Sequence, residues 1–294
     1  MTAPRQILPG TTYLVTRRCS QRQFLLQPGG TTNGVFGYVL AVAAHRFGVL
    51  VHAYCVLSNH FHIIVTDTGA RLPAFEQYLD SLVARALNAS LGRWESFWAP
   101  RSNGAVVLVA PDDIVAKTAY VLANPVAAGV VRRGREWTGL WSSPERMGTR
   151  GMDFPRPRPF FRPDGCMPKV ARLELAIPPG FSSADDFRVQ VSASLAALEE
   201  RAGRRSVRRP RTWGRAGREH PAAPAVREPR RALNPRVAAQ DKWNRIAALE
   251  RLVAFLTSYR SAWSARRAGD REAVFPAGTY LLRVMHGVPC AASP

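Results

Sequence analysis

Residues 49 to 65, VLVHAYCVLSNHFHIIV, constrain this chain more than any other stretch. The run is apolar and β-branched, long enough for two short strands, with the turn-prone pair Ser58-Asn59 between them. Directly after that break come His60, Phe61 and His62. Alternate residues of a strand share a face, so both imidazoles point one way and Phe61 the other. Two histidines side by side on a rigid strand are half of a preformed metal site. The same pattern also arises from two unrelated polar residues on the exposed face of a half-buried strand. A bare H-x-H does not choose between them.

Strand and helix signals continue on either side. Residues 11 to 17, TTYLVTR, read as a strand from their Thr, Tyr and Val content, and Gln21 to Gly34 is a polar connection. Residues 35 to 47 read as a helix, with Asn33 as its cap and Gly48 as its stop. Arg71 to Leu91 places Leu72, Phe75, Leu79, Leu82, Val83, Ala86 and Leu87 at helical spacing. Residues 104 to 109, GAVVLV, form a fourth strand, and Pro111-Asp112-Asp113 opens a helix whose acidic first turn suits the helix dipole. The order β-α-β-β-α-β-α predicts an α+β fold. The expected architecture is a ferredoxin-like four-stranded antiparallel sheet with helices on one face, over residues 1 to 150.

The rest of the chain has a different composition. FPRPRPFFRP holds neither a regular helix nor a central strand, although residues 185 to 200 read as a short helix. Residues 201 to 236 carry 12 Arg against two Glu, half of the chain's formal charge of +20. The expectation for 151 to 236 is a largely disordered Pro/Arg-rich linker, part of it either merely solvated or an arm that tracks phosphates. Residues 237 to 294 read as a helical accessory segment: Trp243 to Trp263 bears one apolar stripe, and VFPAGTYLLRVMHGV is apolar enough to dock on it.

With 41 Lys plus Arg against 21 Asp plus Glu, a polyanionic partner is expected, nucleic acid before a membrane surface. No stretch resembles a membrane-spanning helix, and MTAPRQILPG lacks the apolar run of an export signal. Cys19, Cys55, Cys166 and Cys290 have no paired spacing and read as reduced thiols of a cytoplasmic protein. In the loop GRWESFWAP, the aromatics Trp94, Phe97 and Trp98 either cap the core or offer platforms to unpaired bases. His45 and His52 read as satisfied surface or core histidines.

Tyr120 lies on the helix that starts at Pro111, with Asn124 four residues on and on the same face. Pro125 disfavours helical geometry at Asn124, so Asn124 could equally cap a following helix. Here the residues carry a resemblance. SNHFHIIV followed by AYVLANPVAAGVV resembles the single-tyrosine HUH transposases of single-stranded DNA, and among them the REP-associated tyrosine transposases. ILPGTTYLVTRR is similar to that family's opening strand, and the likeness spans residues 5 to 135. Ser58 stands where the family usually has proline.

The resemblance implies that His60 and His62 bind a divalent ion, Mg²⁺ or Mn²⁺, with Asn124 completing its shell. It implies that Tyr120 is the nucleophile and becomes a 5′-phosphotyrosine. A free tyrosine titrates near ~10, so a nearby cation is needed to ionise it. Imidazoles alone favour zinc-like ions, which leaves hard oxygen ligands to be supplied by Asn124, water and DNA phosphate. Glu76 and Asp80 read as surface charges. Arg17, Arg18, Trp98 and Arg101 are the expected DNA contacts. The implied partner is hairpin-bearing single-stranded DNA of repeat elements, handled by a monomer or homodimer at the nucleoid. Two rivals stay open: a relative that binds nucleic acid without cutting it, and a hydrolase that uses the histidine pair with water.

Overall fold

The computed structural model describes residues 4–100, 102–205 and 235–293. Strands β1 (Thr11–Arg18), β2 (Val49–Val56) and β3 (His60–Asp67) form the centre of one sheet, with β1 and β2 both antiparallel to β3. Ser58 and Asn59 make the turn between β2 and β3, closed by the Leu57 N–H donating to the His60 carbonyl at 2.8 Å. The pairing with β1 sets His60 opposite Arg18, Phe61 opposite Arg17 and His62 opposite Thr16.

Helix α1 (Gly30–Phe47) begins before Asn33, whose side chain donates to the Thr138 carbonyl and caps nothing. It stops at Gly48, which takes the left-handed φ of 64° that favours glycine. Helix α2 (Leu72–Ser90) follows β3, β4 (Gly104–Leu108) pairs antiparallel with β1, and α3 is Pro111–Ala127.

Two expectations about the sheet need correction. First, it is five-stranded and mixed: the order is β2-β3-β1-β4 and then β7 (Val237–Ala238), which lies parallel to β4. An open β4 edge would present unpaired backbone groups, and the returning chain covers them. Two residues are too few to show any alternation in the sequence. Second, helices lie on both faces. Phe61 meets Phe36 of α1, with ring centroids 5.1 Å apart, and Arg17 reaches Asp80 of α2 on that same face. On the histidine face, the Tyr120 ring of α3 meets the His62 ring. Because both faces are covered, β2 and β3 read as continuous apolar runs with no polar alternation.

The expected disordered linker is in good part folded. Strands β5 (Met152–Pro155) and β6 (Val170–Leu173) pair antiparallel, and helix α4 (Ala184–Arg205) follows. Leu173, Leu175, Phe187, Val191 and Leu195 join the main core. The Phe154 ring occupies the space a Cβ would fill on Gly37 of α1. Helix α4 covers the helix expected over 185 to 200, whereas the sparse apolar residues among Pro and Arg before it gave no visible period. The greater part of the Arg-rich arm, 206–234, lies outside the described residues.

Helix α5 (Lys242–Arg267) is capped by Asp241, which accepts from the Asn244 N–H at 2.7 Å. The final segment, with α6 (Leu281–His286), docks on α5 through a small core of Ala262, Phe275 and Val288. No described helix is long and apolar enough to cross a membrane.

His52 is a buried strut. Its Nδ1 donates to the Ala176 carbonyl at 2.8 Å, its Nε2 accepts from the Thr66 hydroxyl at 2.7 Å, and Thr66 bonds Thr12 at 2.7 Å. Burial lowers its pKa to about 4. A depressed histidine pKa stabilises the fold above the unfolded value of about 6.5, and that stability drains away as pH falls from there towards 4. His52→Gln should therefore cost about 1–3 kcal/mol near neutral pH, and less on acidification. Urea midpoints of both chains at about pH 7 and about pH 5 check this. An unchanged gap contradicts it.

Candidate active site

Three elements build the site. Strand β3 presents His60 and His62 on one face, and the two ring centroids stand 5.0 Å apart at 90°. Each Nδ1 has an oriented partner. His60 Nδ1 lies 2.6 Å from Asn59 Oδ1, and His62 Nδ1 lies 2.9 Å from the Thr16 hydroxyl on β1. With both Nδ1–H groups donating, both Nε2 lone pairs are available as ligands, since metal-binding histidines are oriented in this way by an acceptor on the other ring nitrogen. Thr16 and Asn59 thus set the tautomer, a role the sequence reading missed. Asn59 was legible as the neighbour of H-x-H, whereas Thr16 required the strand register.

Helix α3 supplies the rest. It runs through Pro125 to Ala127, and the Asn124 carbonyl accepts from the Ala128 N–H at 2.9 Å. Asn124 is therefore inside α3 and caps no later helix. Its side chain is buried beside His60, and that contact raises the imidazole's pKa against the effect of burial. Asn124 Nδ2 is buried with no hydrogen-bond partner. The Asn124 amide and the His60 imidazole thus stand side by side. One turn earlier the Tyr120 ring stands edge-on to His62, with centroids 5.7 Å apart, and is 45% exposed. The Lys117 ammonium lies over the Tyr120 ring, 5.6 Å from its centroid.

Both imidazoles are held neutral. Burial, with the nearby Arg18 charge, lowers His60 to about 4 against the Asn124 contact, and burial followed by His60 lowers His62 to about 3. Neutral imidazole is the form that binds a metal. Two imidazole nitrogens and an amide oxygen fit a divalent ion whose remaining positions are filled by water or phosphate oxygen. No cluster of three or more His, Cys, Asp or Glu with metal-binding geometry occurs among the described residues.

The other expected contacts separate. Arg18 is exposed and opposite His60, so it stands beside the site. Arg17 points to the far face, where its Nε lies 3.5 Å from Asp80. Trp98 is 7% exposed, packs on Phe61 and Phe97, and donates its indole N–H to the Asp80 carbonyl at 2.9 Å. It is a core residue, and the exposed aromatic of that loop is Trp94, at 89%. Arg101 lies outside the described residues. Of Glu76 and Asp80, both expected on the surface, Glu76 is buried and Asp80 partly buried on α2, across the sheet from the histidines.

No protein-family model and no curated protein sequence matches the chain. Solved structures do. One is a REP-associated tyrosine transposase bound to a REP hairpin, 19% identical, covering 47% of this chain and 79% of that one with a TM-score of 0.40. Another is a protein of Deinococcus radiodurans R1 described as a candidate transposase, 18% identical, covering 42% and 97% with a TM-score of 0.30. Both structural neighbours are of the transposase kind. At these TM-scores the likeness carries no functional weight, which falls on the side chains of the site.

Proposed function

We propose that this chain is a metal-dependent strand transferase that nicks and rejoins hairpin-bearing single-stranded DNA through a 5′-phosphotyrosine on Tyr120. The observation that supports it most is the convergence of His60, His62, Asn124 and the half-exposed Tyr120 within one chain. His60, His62 and Asn124 would hold the ion, Mg²⁺ or Mn²⁺, which when bound offsets charge on the phosphate oxygens.

The chain's own groups account for the rest. The Tyr120 oxygen attacks the scissile phosphorus, the P–O bond to the 3′ oxygen breaks, and the phenolic proton passes to solvent as the 3′ hydroxyl forms. The phosphate ester bond is conserved on tyrosine, so a 3′ hydroxyl can reverse the step and rejoin the strand. Lys117 and Arg18 flank the site with positive charge that holds the backbone phosphates.

Incubation with a hairpin-bearing single strand and Mg²⁺ or Mn²⁺ should yield a protein–DNA adduct that survives denaturation. Nicking without an adduct would favour the hydrolase, and binding without nicking would favour the non-cutting relative.

The aromatic loop gives a second expectation. Trp94→Ala should leave the fold intact and weaken single-strand binding by about 1–3 kcal/mol, the value of one base stacked on an aromatic ring. Trp98→Ala should instead destabilise the fold by about 3–5 kcal/mol. Anisotropy titrations and thermal melts of the two variants separate these effects. The reverse assignment would contradict the placement of the two side chains.

A further inference from the structure

The sheet face opposite the histidines carries a polar cluster that strand transfer does not use. Glu76 and Asp80 stand one turn apart on α2. Glu76, 5% exposed, accepts from Asn103 Nδ2 at 2.9 Å through Oε2, with the Arg5 guanidinium 3.8 Å from the same oxygen. Its other oxygen, Oε1, is buried without a hydrogen-bond partner. Asp80 repeats the pattern: Oδ2 lies 3.5 Å from Arg17 Nε, while Oδ1 is buried and unpartnered. Arg17 Nε itself makes no hydrogen bond, and its guanidinium stands 6.0 Å from the centre of the Trp98 ring. Burial raises the pKa of both carboxyls, Asp80 to about 7, outweighing the opposing pull of Asn103 and Arg5 on Glu76 and of Arg17 on Asp80.

These groups line one cavity of about 480 Å³, with Leu72, Pro73 and Trp98 among its walls. That size suits a small planar ligand. Two carboxylates facing two guanidiniums leave the cavity close to neutral, which favours neither a metal cation nor a free anion. What satisfies it is a neutral, flat molecule offering adjacent N–H donors beside an acceptor. Guanine alone among the bases presents two adjacent donors, N1–H and N2–H, next to an acceptor, O6, on one edge. Arg17 and Arg18 are neighbours that face opposite sides of the sheet, so a strand held at Arg18 can round the end of β1 to reach Arg17.

We propose that this cavity binds an unpaired guanine, with Glu76 accepting from N2–H, Asp80 accepting from N1–H and Arg17 donating to O6. The source of the base, a single DNA strand, rests on the strand-transfer reading.

The test is metal-free anisotropy with the full chain. The probes are a short fluorescein-labelled oligothymidine carrying one dG, and the same strand with deoxyinosine, which lacks the N2 amino group. The dG strand should bind roughly tenfold more tightly, as for other paired polar contacts to a base edge. Glu76→Gln should bring that ratio close to one while binding of plain oligothymidine is kept. Asp80→Asn is the second variant, should the first not fold. Equal affinity of the unaltered chain for the two strands overturns the proposal, as does full preference retained in both variants. Guanine preference without adduct formation counts against strand transfer alone, and adduct formation without guanine preference counts against the cavity alone.

Discussion

Tyr120→Phe is expected to abolish the covalent adduct and to lower strand cleavage by a factor on the order of 10³ or more, as loss of a nucleophile does. Binding of the same DNA should change little. The ring still stacks edge-on to His62 and under Lys117, and only a partly solvated hydroxyl is lost. Denaturing gels for the adduct and anisotropy for binding check the two halves separately. Unchanged cleavage in Tyr120→Phe would remove Tyr120 from the chemistry.

The second large effect is at the histidines. On the proposed reading His60→Ala removes one of two imidazole ligands and should weaken divalent-ion binding by about 10-fold or more, since losing even a residue that only orients a ligand costs that much. Cleavage should fall with it and recover in part as Mn²⁺ is raised, whereas no metal concentration rescues Tyr120→Phe. His62→Ala carries an added structural cost, because the ring is buried and holds the Thr16 hydroxyl at 2.9 Å. Leaving that hydroxyl unpaired should destabilise the fold by about 1–3 kcal/mol. Calorimetric Mn²⁺ titration and urea melts of the two variants check both statements. Full activity of His60→Ala at ordinary metal concentration would end the metal-site reading.

The site was legible where its logic is local. H-x-H on a strand fixes a shared face through the period of two, and Tyr120 with Asn124 shares a face through the helical turn. Pro125 was the ambiguous signal. It lacks an N–H and so leaves the Val121 carbonyl without its usual helical donor, yet α3 continues to Ala127 because the proline falls in the last turns. Arg17 and Arg18 could not be told apart without register: only the pairing of β1 with β3 puts Arg18 beside His60 and Arg17 behind Phe61.

Glu76 was readable in hindsight. It sits one turn beyond Leu72 in the same stripe that carries Leu79 and Val83, a buried position for any residue. Trp94 and Trp98 lie four residues apart in an irregular loop, where no period says which one turns inward. The fold failed to show itself where contacts are long-range and sparse, as in β7 closing an edge and β5 and β6 pairing within a Pro- and Arg-rich segment, whereas the helix expected over 185 to 200 is present as α4.

The most direct measurement is the site of DNA attachment. Trypsin cleavage after Lys117 and Arg132 releases Thr118–Arg132, which contains Tyr120 and no other tyrosine. Tyr54 is fully buried, and Tyr78 packs on Phe47 beneath Arg46, so neither competes for a phosphate at the histidine face. After reaction and nuclease trimming, mass spectrometry should find the 5′-phosphonucleotide on Thr118–Arg132, matched by a free 3′ hydroxyl on the released strand. A nucleotide on the peptide carrying Tyr54 or Tyr78, or hydrolysed DNA with no modified peptide at all, would contradict the account.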